Sequence, residues 1–185
     1  AAPRYTGSSE SGLNAIMGGY GASGTGLTGV NTTGIQPWRA GRNAIDIVNS
    51  TLNVLETDFD NPTGTSSSLP GSSTAANLEL MSSAGDSGGP LWILDGSTWK
   101  VAGITSYRAS LIGTPDSSYG AKAGYTRTAP YFTWMQNIIN GTPTDVRSGF
   151  GQGPVPVNSN GYVYTIGTIP EPTIAAMIGL PFLLM

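Results

Sequence analysis

The sequence predicts an all-β domain, and three observations carry the prediction. Charged residues make up 10% of the chain, where ordinary globular domains carry about a quarter. Glycine is enriched, at 27 of 185 residues. Short β-branched or apolar runs recur between Gly-, Ser- and Thr-rich turns, the pattern of many short strands rather than of long charged helices. The length allows one domain of about 100–200 residues with at most a tail.

Taken in order, Ala15 to Tyr20 reads as a first strand between glycine-rich turns, within a loop-rich region from Gly7 to Gly34. Asn43 to Ser50 and Asn53 to Phe59 mix β-branched and polar residues across a short polar break and read as two strands, a candidate hairpin. Asn61 to Thr74 is Ser, Thr, Pro and Gly almost throughout and is a loop. Leu91 to Leu94, an Asp95-Gly96 turn, and Thr98 to Tyr107 give the strongest hairpin signal in the chain. Gly120 to Thr128 is a further strand. The apolar period then changes: Tyr131, Trp134, Met135, Ile138 and Ile139 fall on one helical face, with Thr128 or Ala129 before Pro130 at the start and Gly141 at the end. A short C-terminal helix is expected there, closing a domain over residues 1–140. Residues 141–168 return to Gly, Pro, Ser and Asn and read as a linker. Residues 169–185 form an uncharged or weakly charged tail whose apolar run is shorter than the roughly 20 residues a spanning helix needs.

Composition also excludes chemistry. The net charge of -3, with eight basic residues scattered, leaves no electrostatic footprint for nucleic acid. With no cysteine there is no disulfide, thiolate metal site or thiol nucleophile. With no histidine the commonest general base is missing. The first residues, Ala1 to Glu10, show no signal-peptide pattern, and the absence of an initiating methionine suggests that the natural start lies upstream.

Against this background Gly85-Asp86-Ser87-Gly88-Gly89-Pro90 stands out. Glycines and a proline around an Asp-Ser pair fix a tight backbone that presents a hydroxyl outward, with neighbouring N–H groups converging where a tetrahedral oxyanion would form. The apolar strand Leu91–Leu94 follows, then Val101-Ala102-Gly103-Ile104-Thr105-Ser106-Tyr107 and Gly124-Tyr125-Thr126-Arg127 before the helix. On these residues the chain, over Tyr5 to Asn140, resembles the C-terminal part of the trypsin-like serine proteases. That resemblance implies the C-terminal β-barrel of a two-barrel chymotrypsin-like fold, and serine endopeptidase activity by acyl-enzyme hydrolysis on a protein or peptide substrate. No metal or organic cofactor is needed for that chemistry.

The resemblance further implies that Ser87 is the acyl nucleophile, that the N–H groups of Gly85 and Ser87 are oxyanion donors, and that Asp86 is a buried carboxylate holding the loop. Met81 takes the floor of the primary specificity pocket and Ala123 a wall, with Ser106, Tyr107 and Arg108 along its side. A pocket floored by methionine does not suit Arg or Lys, so a shallow apolar pocket is expected, or one narrowed by Arg108, whose guanidinium could instead meet an acidic side chain. Asp46 lies in an apolar strand at no position of the family's motif and is not assigned as the triad acid. Asp58 and Asp60 alternate at a strand end, where carboxylates serve as loop caps more often than as calcium ligands.

The family takes its histidine and triad aspartate from an N-terminal barrel, and this sequence holds neither. The chain by itself is therefore expected to be inactive, either as part of an active protease or as a non-catalytic surface-anchored binding or structural module of protease descent. The half-barrel reading carries its own expectation, an exposed inter-barrel face and hence poor solubility or dimerisation of residues 1–140 alone. Finally, Ile169-Pro170-Glu171-Pro172-Thr173 before an apolar stretch resembles the PEP-CTERM sorting signal of Gram-negative bacteria, cut short of its usual basic end. That likeness implies export to the cell surface, processing by an exosortase-type enzyme, and membrane contact only through the tail before processing.

Overall fold

The computed structural model describes residues 2–34, 36–63, 69–140 and the backbone of 162–166. Its strands are β1 (Asn14–Gly19), β2 (Gly24–Thr25), β3 (Gly29–Val30), β4 (Arg39–Ala44), β5 (Ile47–Asn49), β6 (Val54–Asp58), β7 (Pro90–Asp95), β8 (Thr98–Leu111), β9 (Lys122–Arg127) and β10 (Tyr162–Ile166). One helix, α1 (Phe132–Ile139), follows a 3-10 turn at Ala129–Tyr131. The fold is all-β, ending the 1–140 region in a short helix, as the composition predicts.

The main sheet is antiparallel in the order β4-β1-β7-β8-β9-β6-β5, with β10 added on β8 and β2-β3 forming a separate small ribbon. The two ends of that order are one stretch of chain. Ile45 donates its N–H to the carbonyl of Leu13 at 3.0 Å, and the next residue, Asp46, donates to Glu56 at 2.9 Å. The chain thus passes from β1's side to β6's side within one residue, and the curled sheet closes into a barrel. The sequence predicts a single strand over Asn43 to Ser50, and the break falls at Ile45–Asp46 because the Asp46 carboxylate is engaged on both oxygens, by the N–H groups of Ser72 (2.9 Å) and Asp58 (3.1 Å).

Strand alternation sends Ala15 and Met17 of β1, Leu91 and Ile93 of β7, and Ala123 and Tyr125 of β9 inward, where they meet Ile45, Leu55 and Ala102 in the core. Alanine and glycine recur because the barrel is narrow: a Cβ on Gly103 would sit 2.8 Å from the Cβ of Tyr125. Each fully buried Leu or Ile contributes about 1.5–3 kcal/mol through the water it leaves. The hairpin predicted at Asp95-Gly96 is present. Asp95 pairs with Thr98, and Gly96 takes φ +62° at the turn, a left-handed conformation that glycine adopts without penalty.

The N-terminal arm seals one side. Arg127 makes a two-pronged ion pair with the fully buried Glu10, at 2.7 and 2.9 Å. Arg4 stacks over Phe132 and donates to Gln136 at 2.6 Å, tying the arm to α1. Thr128 does not cap the helix with its side chain; its hydroxyl goes instead to the carbonyl of Val101 at 2.9 Å. Ile139, the last helical residue, is exposed, so the apolar stripe runs past the surface that covers it. Among the described residues no helix is long and apolar enough to cross a membrane. Tyr162–Ile166 forms a strand inside the segment whose composition reads as linker; the rest of that segment and the 169–185 tail lie outside the described residues.

Candidate active site around Ser87

The hexamer forms a tight loop leading into β7. Gly85 and Gly88 adopt φ +99° and +82°, backbone that side-chain-bearing residues rarely take. The loop is stitched to β8: Gly88 N–H donates to Thr105 O at 2.9 Å, while Thr105 donates back to Gly89 O through its N–H at 2.8 Å and its hydroxyl at 3.0 Å. Within the loop Gly89 N–H reaches Asp86 O at 3.0 Å. Ser87 sits half-buried at the bend. Its hydroxyl makes no hydrogen bond among the described residues, and the N–H groups of Gly85 and Ser87 have no acceptor among them either. A hydroxyl beside two N–H groups unengaged among the described residues is compatible with an oxyanion site before substrate arrives.

Asp86 holds this arrangement in place. Its Oδ1 accepts from Gly21 N–H at 2.9 Å, and its Oδ2 accepts from Ser83 N–H at 2.9 Å and from the Ser83 hydroxyl at 3.1 Å. That hydroxyl also lies in contact with the carbonyl of Ala22, whose own N–H donates to Ala84 O at 2.7 Å. The glycines of Gly18-Gly19-Tyr20-Gly21 make the space: a Cβ on Gly19 would overlap Asp86 Oδ1, and one on Gly21 would come within 2.6 Å of it. The carboxylate is half-buried, not enclosed as the resemblance implies. Its two partners, Gly21 and Ser83, are both buried.

Beside Ser87 lies a cavity of about 10 Å³ lined by Ser82, Ser83, Ser87, Thr105, Ser106, Tyr107 and Arg108. It has room for about one water. Five of its seven lining residues are Ser or Thr, and Arg108 stands on its wall, the narrowing that the sequence offered as one alternative. Ser106 is exposed at a bulge in the β8–β9 pairing, between Thr105 and Tyr107, the kind of irregularity that re-aims a side chain. Tyr107 is buried over Gly124, and its hydroxyl donates to Glu56 at 2.5 Å; Lys122 reaches the same carboxylate at 3.0 Å. Arg108 is buried and does meet an acidic side chain, that of Asp116, at 2.7–3.0 Å through Nε and Nη2. Burial pushes the Asp116 carboxyl up, but the hydrogen bonds and charge of Arg108, with help from Ser117 and Ser110, outweigh it and hold the group below its ordinary value.

The structure therefore brings Ser87, Gly85, Asp86, Ser106, Tyr107 and Arg108 together. Met81 and Ala123 do not line the cavity beside Ser87. Ala123 is fully buried in the core, and Met81 is buried there too, facing a different cavity of about 130 Å³ beyond Asp86 that Glu79, Phe59 and Ser117 also line. Sequence reasoning missed Ser82, Ser83 and Thr105, which line the cavity, and Asp116, which anchors Arg108. The Gly18-Gly19-Tyr20-Gly21 run was a usable signal for the Asp86 cradle, while nothing in the sequence pairs Arg108 with Asp116.

A second group of carboxylates ties the chain at Leu69 and Ala76 to the barrel. Asp58 Oδ2 accepts from Leu69 N–H at 3.0 Å, and Glu79 accepts from the N–H groups of Asp60 (2.6 Å) and Ala76. Burial raises Glu79 to about 7, against those two hydrogen bonds and with the charges of Asp60 and Asp58 adding to the rise. Burial and the neighbouring Asp58 raise Asp46 likewise. Asp58 acts as the loop cap its position suggested, and among the described residues no group of three or more such side chains is placed to hold a metal ion. No protein-family model matches the sequence.

Proposed function

We propose that this chain carries the nucleophile and oxyanion half of a serine endopeptidase site. The observation that supports it best is the Ser87 loop: a hydroxyl with no partner among the described residues, flanked by the N–H groups of Gly85 and Ser87, likewise unengaged among them, on a backbone fixed by Asp86 and β8. In this reading Ser87 Oγ attacks the scissile carbonyl while a general base takes its proton. The oxyanion is held by the two N–H groups, and collapse expels the amine, which receives that proton, leaving an acyl ester on Oγ for water to hydrolyse. Asp86 is a positioning residue.

The chain has no histidine, so in this reading the histidine base that the resemblance implies is supplied from outside these 185 residues. Without it the loop and binding alone are worth about 10³–10⁴ over water, some millionfold below a complete triad. The tail, by its likeness to a PEP-CTERM signal, would place the protein at the surface of a Gram-negative bacterium after exosortase-type processing. The test is pre-steady-state hydrolysis of an activated ester with imidazole supplied in solution. A burst that saturates with imidazole and vanishes in Ser87→Ala supports the reading; imidazole-dependent hydrolysis identical in Ser87→Ala overturns it.

A second reading, a non-catalytic surface-anchored binding or structural module, draws support from the missing histidine and from the small size, about 10 Å³, of the cavity beside Ser87. Absence of the burst, in a protein shown to be folded, favours it.

A further inference from the structure

β8 is longer than its partners. One edge pairs with β9 from Gly103 to Ala109. The other pairs with β7 from Thr98 only to Ile104, where β7 begins at Pro90. Next along that edge comes Thr105, bonded to Gly88 and Gly89 of the nucleophile loop. Beyond it β10 pairs antiparallel with β8, Ile166 opposite Tyr107 and Tyr162 opposite Leu111. Because β9 already occupies Tyr107, Arg108 and Ala109 from one side, β10 must lie on the β7 side. Both β7 and β10 run antiparallel to β8, so they point the same way, nearly in line. The C-terminal end of β10 is directed at the Ser87 loop, and only Ser106 and Thr105 of β8 separate the two pairings.

An extended peptide that presents a carbonyl to Ser87 needs a backbone edge to bind, and adding a strand to an open sheet edge is a common way for a protein to hold one. The open stretch of β8 next to Ser87 is Tyr107 to Leu111, whose residues Tyr107 and Arg108 also line the cavity beside the nucleophile. We infer that the chain's own Tyr162–Ile166 occupies the substrate edge of β8 as an intramolecular inhibitory strand, an inference that rests on the protease reading above. It holds the place by backbone pairing, in the orientation a substrate strand would take. The 22 residues from Asn140 to Gly161 inclusive that join it to α1 keep its effective concentration in roughly the millimolar range, so a weakly pairing segment still competes with a dilute substrate. Release of this strand, by processing of the chain beyond the helix or by a tighter-binding peptide, opens the edge.

The test uses the full chain and its Tyr164→Pro/Thr165→Pro variant. Two adjacent prolines remove two consecutive N–H donors, so one ladder bond is lost whichever residues of β10 face β8. Hydrogen exchange is followed over residues 107–111, with 98–104 as the control for an intact barrel. The expected result is exchange over 107–111 about tenfold faster in the variant, unchanged exchange over 98–104, and restored protection when a synthetic 160–168 peptide is added at millimolar concentration. Equal exchange over 107–111 in both proteins overturns the inference. The functional arm is labelling of Ser87 by a fluorophosphonate in imidazole buffer, expected to be severalfold faster in the variant. Equal, measurable labelling with altered exchange shows that β10 pairs without inhibiting, and refutes the inhibitory role. Altered exchange with no labelling of either folded protein sinks the protease reading instead, and the inhibitory role with it.

Discussion

Replacing Asp86 by asparagine tests whether one carboxylate fixes the loop that carries Ser87. Asp86 accepts three hydrogen bonds, from Gly21 N–H and from the N–H and hydroxyl of Ser83. The amide oxygen can keep Gly21 or Ser83, not both, and its NH₂ then faces an N–H donor at the position where Oδ2 accepted at 2.9 Å. Charge-assisted bonds contribute about 1.5–3 kcal/mol each. The side chain is half-buried, so screening takes the lower end, and the expected loss is about 2–3 kcal/mol. For a domain of this size that lowers the thermal midpoint by about 5–10 °C, read by circular dichroism and checked by urea unfolding. Gly19→Ala supplies an independent route to the same defect, since its Cβ would displace Asp86 Oδ1. The double variant Gly19→Ala/Asp86→Asn is expected to lose less than the sum, as coupled neighbours do. A midpoint for Asp86→Asn within about 1 °C of the parent, or strict additivity with Gly19→Ala, refutes the reasoning.

Other expectations bear on the barrel and its acid cluster. Glu10→Ala leaves the Arg127 guanidinium buried without its partner and is expected to cost about 3–5 kcal/mol, a loss that Glu10→Ala/Arg127→Met largely recovers; a Glu10→Ala protein of parental stability contradicts the buried pair. Glu79 is raised from 4.5 to about 7 and Asp46 is raised in the same direction. The folded state therefore binds more protons than the unfolded one between about pH 4.5 and 7, and stability falls as pH rises through that window. Asp116 is shifted the other way, below 3.8, and its contribution is lost only at lower pH. Urea midpoints are expected to be higher at pH 5 than at pH 7.5, with the slope reduced in Glu79→Gln; a midpoint that climbs across this window counts against the shifts.

Much of the fold is legible because barrel strands need alternating apolar residues and tight turns. Ala15–Met17, Leu91–Ile93 with its Asp95-Gly96 turn, and Ala123–Tyr125 each declare a strand and its inward face. The kink at Ile45–Asp46 is not legible, since it depends on Asp46 reaching Ser72, 26 residues away. At the site, the local part of the pattern is readable: glycines at positive φ around Asp86 and Ser87 follow from the hexamer itself. The non-local part is not. The resemblance implies that Met81 and Ala123 line a pocket beside Ser87, yet Ala123 packs fully buried in the core and Met81 faces the separate cavity beyond Asp86. The Arg108–Asp116 lock and the pairing of β10 with β8 join segments whose sequences carry no mutual mark.

On the reading proposed above, Ser87 is an acyl nucleophile that lacks its base. The most direct measurement is fluorophosphonate labelling with the modified residue located by mass spectrometry, on this chain in imidazole buffer and on a polypeptide extended by whatever coding sequence lies upstream of Ala1. The account predicts modification confined to Ser87, rising with imidazole or in the extended form, and absent in Ser87→Ala. A folded extended protein that contains histidine and leaves Ser87 unmodified would count against that reading, and the chain would then be better described as a non-catalytic binding or structural module on an all-β fold.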